Sequence, residues 1–273
     1  MKKRLTVIMM CLLAYPLTST SVLAATHCKK HCKKCAHKQL DAAKTPFKDA
    51  SPAETAQEAN ADFWSGMSGS FTLTSNYVFR GVSQSSNLPA TQGGLTYTVP
   101  AGIYVNVWGS NVKFAGTSGG TIELDTIAGW RGEWWKTISY DINIDRYNYP
   151  GSTNLAYNEA NALLGYRFFQ LGLGYSSNVY STHQTGIYTN GTISYDIPAH
   201  YFFDFQDVSV AAEFGHYSLP RAAGNSYNDY SLTLNKKLTN TYSILAQWTG
   251  TNGRQHNPPY DSNQLLAAVN ASF

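Results

Sequence analysis

Charge is what this 273-residue sequence lacks: only 14% of its side chains are Asp, Glu, Lys or Arg, against roughly 25% in an average soluble domain. Long apolar runs are missing beyond the N-terminus, which excludes a helical membrane protein needing ~20-residue spans. All four cysteines lie before residue 36, so nothing downstream is stapled by disulfides or built as a Cys-ligated metal domain. Nineteen Tyr and 22 Gly argue in turn against disorder, which goes with few aromatics and high net charge. An all-β protein, in water or in a membrane, is left.

The N-terminus reads as a secretory leader. Lys2, Lys3 and Arg4 precede an apolar stretch from Leu5 to Leu17, and Val22-Leu23-Ala24 forms a small-residue cleavage site. Removing residues 1–24 takes 3 of the 20 basic residues and leaves 17 against 17 acidic ones. The exported chain is therefore neutral, and the basic stripe a nucleic-acid partner requires is absent.

Residues 26–38 concentrate His27, Cys28, His31, Cys32, Cys35 and His37 among five lysines. Thiolate and imidazole are ligands for zinc or copper, and the C-x3-C-x2-C spacing with interleaved His suits four donors around one ion. An oxidising compartment offers the alternative of a disulfide with an odd cysteine left over. Covalent haem is excluded, because Cys32-Lys33-Lys34-Cys35 is followed by Ala36 where C-x-x-C-H demands His. From residue 39 to about 68 the composition is that of a tether, rich in Ala, Lys, Glu and Gln with Pro46 and Pro52.

From Ser70 the hydrophobic period is two. Phe71 and Leu73 alternate with Thr72 and Thr74; Ile138, Tyr140, Ile142 and Ile144 with Ser139, Asp141, Asn143 and Asp145; Val208, Val210, Ala212 and Phe214 with Asp207, Ser209 and Glu213. Twelve such windows fall at 70–80, 91–99, 102–112, 120–131, 136–148, 156–166, 170–179, 186–197, 205–216, 227–237, 241–250 and 262–273. Most have the ~9–12 residues of a tilted membrane-crossing strand. Pro89, Pro100, Pro150, Pro198, Pro220, Pro258 and Pro259 all fall between windows, as they must if the windows are hydrogen-bonded strands. Short and long connections alternate, with 198–204 longer than its class. These features predict an all-β, antiparallel transmembrane β-barrel of about twelve strands spanning 69–273, behind a head and tether at 25–68.

Charge parity sharpens the prediction. A charge on the lipid face at mid-membrane costs about 2–4 kcal/mol, and Glu123, Asp125, Asp141, Asp145, Glu159, Asp207, Glu213 and Asp229 all take the opposite parity. With Arg80 and Asn143 they are the expected pore lining, predicting passage of small hydrophilic solutes with a mild preference for cations. Arg146 has lipid-facing parity near a strand end, where its stem can snorkel. Aromatics are expected as two interfacial girdles: Tyr97, Trp130, Trp134, Trp135, Tyr166, Phe168 and Phe169 near short turns, and Phe79, Tyr147, Tyr149, Tyr180, Tyr217 and Tyr227 near long loops. Leu265, Ala267, Val269, Ala271 and Phe273 form the terminal strand pattern that barrel-insertion machinery reads, so that machinery and outer-membrane lipid are the expected partners. His183, His200, His216 and His256 lie at loops without a nucleophile–base arrangement, so no catalytic residues are expected.

The segments Ser75-Asn76-Tyr77-Val78-Phe79-Arg80-Gly81-Val82-Ser83-Gln84-Ser85, Gln92-Gly93-Gly94-Leu95-Thr96-Tyr97, Gly102-Ile103-Tyr104-Val105, Trp108-Gly109-Ser110-Asn111-Val112, Glu123-Leu124-Asp125 and Tyr149-Pro150-Gly151 resemble the TorF-type porin family of proteobacteria. The similarity runs from about Gly69 to Phe273 and implies an outer-membrane porin; it carries over no substrate and no catalytic residue. A non-conducting barrel acting through its long loops at 81–90, 217–226 and 251–261 is the alternative reading.

Overall fold

A computed structural model describes residues 65–114, 121–152, 155–198, 206–252 and 260–273. The leader, the tether before residue 65, and His27, Cys28, His31, Cys32, Cys35 and His37 lie outside the described residues, as do His200 and His256. Among the described residues no helix is long and apolar enough to cross a membrane.

Twelve antiparallel strands close on themselves: β1 (Met67–Thr74), β4 (Ala90–Thr98), β5 (Ile103–Asn111), β6 (Ile122–Trp134), β7 (Ile138–Asn148), β8 (Tyr157–Tyr166), β9 (Phe169–Ser176), β10 (Gly186–Ile197), β11 (Val208–Ser218), β12 (Tyr227–Lys237), β13 (Tyr242–Thr251) and β14 (Gln264–Ser272). Every strand pairs with its sequence neighbours, and β14 returns to β1 with Ser70 opposite Ser272. The seam ends where the Gly69 N–H donates to Phe273 O at 2.7 Å and the Phe273 N–H donates back at 3.0 Å. Closure leaves no free edge, the condition for a sheet to sit in lipid.

The alternation in sequence becomes two surfaces. Phe71, Leu73, Val105, Val107, Ile142, Ile144, Leu171, Leu173, Phe214, Leu232 and Val269 point outward and are exposed, whereas their neighbours Thr72, Asn106, Asn143, Asp145, Gln170, Glu213, Thr233 and Asn270 are buried. A soluble barrel would bury the first set and expose the second; this one is inverted, as a lipid-facing wall requires. Trp130, Trp134, Trp135, Tyr166, Phe168 and Phe169 are exposed at one end of β6–β9, where Trp134 stacks on Tyr140 with ring centroids 4.6 Å apart. Arg146 is outward and exposed; its Nε–H and Nη1–H donate to the Oδ1 atoms of Asn148 (3.1 Å) and Asn158 (3.2 Å), which hold the head at the strand end.

Three expectations need correction. The window 70–80 is not one strand, for β1 ends at Thr74. The Thr74 hydroxyl donates to Asn76 O at 2.7 Å and accepts the Asn76 N–H at 3.3 Å, so the chain turns there. It then forms a small hairpin, β2 (Val78–Phe79) and β3 (Val82–Ser83), which stands apart from the barrel sheet. The aromatic set near the long loops is not a lipid girdle either: Tyr147, Tyr149, Tyr217 and Tyr227 are buried, with Phe79 and Tyr180 packed against them. Finally, Asp207 is exposed with φ +56° in the connection before β11, outside the lumen. In the first and third cases period-two parity runs past the true end of a strand, where it no longer reports direction, whereas Tyr147, Tyr217 and Tyr227 lie inside β7, β11 and β12 on the same inward parity as Asp145, Glu213 and Asp229.

Candidate functional site

The site lies inside the barrel, toward the end that carries the long loops. In-register pairs set a layer of inward rings there: Tyr147 faces Tyr157 across β7 and β8, Tyr188 faces Tyr217 across β10 and β11, and Tyr217 faces Tyr227 across β11 and β12. Tyr147 stacks on Tyr157 at 4.6 Å, and Tyr180 of the β9–β10 loop bridges Tyr157 and Tyr217 edge-on at 5.1 and 6.4 Å. Period two makes this layer continuous with the polar wall, since 188, 190 and 192 share one face of β10 and 213, 215 and 217 one face of β11.

The β2–β3 hairpin enters this layer from the β1–β4 loop. Asn76 anchors its root: its Oδ1 accepts from the Ser83 (2.7 Å) and Ser85 (3.0 Å) hydroxyls, and its amide donates to Gln264 on β14. The tip spans the lumen. On one side Gly81, at φ +78°, lies so close to the wall that a Cβ there would stand 2.7 Å from Thr251 Cγ2 and 2.9 Å from Asp229 Cβ. On the other side the Arg80 guanidinium donates two parallel hydrogen bonds to Glu159 on β8, Nη1 to Oε2 at 3.0 Å and Nη2 to Oε1 at 2.7 Å. The same guanidinium lies 4.1 Å from the ring centroid of Tyr188, 4.6 Å from Tyr217 and 4.6 Å from Phe79. Planar donors forked onto a carboxylate and stacked on rings are the arrangement in which Arg is not replaceable by Lys.

The structure brings most of the expected lining to this lumen. Glu123, Asp125, Asp145, Glu159 and Asp229 are at most 3% exposed, and Asn143 and Glu213 9%. Asp145 stands directly opposite Glu159 in register. Tyr149, beyond the end of β7, donates its hydroxyl to Glu123 Oε1 at 2.7 Å; burial first, and the adjacent Glu123 charge second, hold that phenol well above its ordinary pKa, so it stays a donor. Glu213 accepts from the Asn190 amide and the Thr192 hydroxyl, both at 3.0 Å, and Asp229 from the Tyr188 hydroxyl at 3.0 Å. One oxygen each of Glu123, Asp125, Asp145 and Asp229 has no hydrogen-bond partner. Asp141 belongs to a separate station near the short turns: it faces Arg131 in register and accepts the Tyr104 hydroxyl at 2.8 Å, while Arg131 lies 4.7 Å over the Tyr104 ring and donates to Thr98 Oγ1 at 2.8 Å.

The lumen is consequently unequal. Its β5–β11 side is filled by the hairpin, the tyrosines and the acids of β6–β8. A cavity of about 100 Å³ remains beside it, lined by Thr72, Thr74 and Asn76, by Glu213, Asp229 and Thr233, by Gln247 and Thr249, by Asn270, and by Arg80 itself. Sequence reading missed Asn76, Tyr188 and Gln264; Tyr188 was recoverable from its parity with Asn190 and Thr192, whereas the Asn76–Gln264 contact, across 188 positions, left no local signal. Among the described residues no group of three or more His, Cys, Asp or Glu is arranged to hold a metal ion. His216, on the outer face of β11, shares a 2.7 Å hydrogen bond with Asn228, and the Ser181 hydroxyl is engaged by Ala156 O at 2.6 Å.

Solved structures similar to this chain include porins. The KdgM porin superposes with a TM-score of 0.50 at 10% identity, over 76% of this chain and 99% of its own. The NanC porin gives 0.48 at 9% identity over 76% and 97%, and Omp33 of Acinetobacter baumannii 0.42 at 8% over 76% and 97%. At such identities the likeness is one of fold, and the fold is that of a bacterial outer-membrane barrel. No curated protein matches the sequence. The chain itself belongs to the bacterial family of unknown function designated Gcw_chp, which it matches over residues 57–272.

Proposed function

We propose that the protein is an outer-membrane channel for passive diffusion of small hydrophilic solutes, without enzymatic activity and with a mild preference for cations. The observation that carries this reading is the cavity inside a closed, outwardly apolar barrel, where hydroxyls, amides and the carboxylates of Glu213 and Asp229 share the lining with Trp108, Leu245, Leu266 and Ala268. Water and small polar solutes exchange hydrogen bonds with such a wall at little cost, and an excess of one charge sign lowers the barrier for the other. Among the described residues Arg80 and Glu159 form an ion pair, and Glu123, Asp125, Asp145, Glu213 and Asp229 form none. The resemblance of the Tyr77 to Gln84 block to TorF-type porins supports the same reading.

Reversal potentials across a salt gradient, measured on the refolded full chain in planar bilayers, test it. Cation preference is expected, and it falls on Glu213→Gln with Asp229→Asn; anion preference or no conductance overturns it. One observation favours a second reading, a non-conducting barrel working through its loops: the hairpin and tyrosines fill most of the mouth. That reading predicts heat-modifiable migration without conductance. At the other end of the chain, the Cys/His tract is proposed to bind zinc or copper in a one-to-one complex, which titration with either ion under reducing conditions checks. Insertion through the terminal strand is tested by deleting Phe273 and measuring assembly.

A further inference from the structure

We propose that the cage occupied by Arg80 is a binding site for solutes bearing a guanidinium group, and that such a solute enters it by displacing the Arg80 side chain. The walls of the cage belong to the rigid barrel: Glu159 on β8, Tyr188 on β10 and Tyr217 on β11. Its occupant comes from a hairpin outside the barrel sheet. A carboxylate that accepts two parallel bonds at 3.0 and 2.7 Å, with two wall rings 4.1 and 4.6 Å from the guanidinium carbon, reads a planar forked cation whichever molecule carries it. Gly174 leaves the room this group needs, for a Cβ there would stand 3.1 Å from Arg80 Nη2.

Two further observations separate this cage from an ordinary structural ion pair. Negative charge exceeds what one arginine balances: Asp145 faces Glu159 in register and Asp229 is hydrogen-bonded to Tyr188, each with an oxygen lacking a partner. Arg80 and Asp229 line the cavity, so a solute there reaches the cage directly. An ammonium makes one point contact where the guanidinium makes a fork and a stack, and binds more weakly. Neutral and acidic solutes gain nothing in the cage.

The inference rests on the channel reading only for the route of entry, so binding and conductance are measured separately. Calorimetric titration of the refolded full chain in detergent with arginine amide, against citrulline amide, is expected to show saturable binding of the first alone. Arg80→Gln removes the internal competitor and is expected to bind arginine amide at least ~10-fold more tightly; adding Glu159→Gln abolishes that binding. Should Arg80→Gln fail to fold, hydrogen exchange on the wild type decides: arginine amide is expected to raise exchange at residues 78–83, and no change overturns the proposal. Equal binding of citrulline amide, or no gain in Arg80→Gln, also overturns it. Binding without conductance would instead sink the channel reading and leave the site standing.

Discussion

The two sides of the lumen use one backbone plan for opposite ends. On β6–β8 the inward positions carry Glu123, Asp125, Asp145 and Glu159, yet tyrosines and the Arg80 hairpin cover them, and all four are buried. On β12–β14 and β1 the inward positions are mostly neutral, Thr233, Gln247, Thr249, Asn270 and Thr72, and it is these that meet the cavity. Carboxylate density and carboxylate access are thus separated. On the proposed route permeating ions meet Glu213 and Asp229, while the richest acidic cluster receives Arg80.

The most disruptive test of this contrast is Arg80→Ala. It leaves Glu159 buried without its cation, a loss of about 3–5 kcal/mol, and frees the hairpin to leave the mouth. Single-channel conductance is expected to rise severalfold while the temperature of heat-modifiable migration falls; unchanged conductance would show that the hairpin does not limit passage. Gly81→Val follows, because φ +78° and the 2.7 Å approach to Thr251 exclude a branched side chain at a cost of about 1–3 kcal/mol. It should unseat the tip with Arg80 intact, again raising conductance.

Selectivity sharpens the contrast further. Glu213→Gln with Asp229→Asn should move the reversal potential toward zero, while Glu123→Gln with Asp125→Asn, behind the tyrosines, should leave it nearly unchanged. The reverse result would place the conduction path along β6–β8. The smallest effect is expected for Arg146→Ala on the outer face, within about 0.5 kcal/mol in thermal denaturation, since exposed polar contacts contribute little.

The barrel was legible in sequence because its cause is local. Alternation along Val105-Asn106-Val107-Trp108 or Ile142-Asn143-Ile144-Asp145 states which face each residue takes. Strand length, proline positions and loop alternation then count the strands. Most of the lining followed from the same parity. Failures fell mostly where the backbone leaves the sheet: Tyr77 and Phe79 continue the alternation of Phe71 and Leu73, but the turn at Thr74–Asn76 sends them inward, and Asp207 sits before its strand begins, while Arg80 is inward as its parity states.

The sequence by itself determined an inverted barrel, its number of strands and the side on which its acids lie, because a period of two and the cost of charge in lipid act residue by residue. Only the tertiary structure decided that the first long loop folds back into the lumen, that Arg80 meets Glu159 across 79 positions, and that Phe79, Tyr149 and Tyr180, outside the barrel strands, pack into the tyrosine layer instead of meeting lipid. Those outcomes depend on which strands curve around to face one another, and that is settled when the sheet closes.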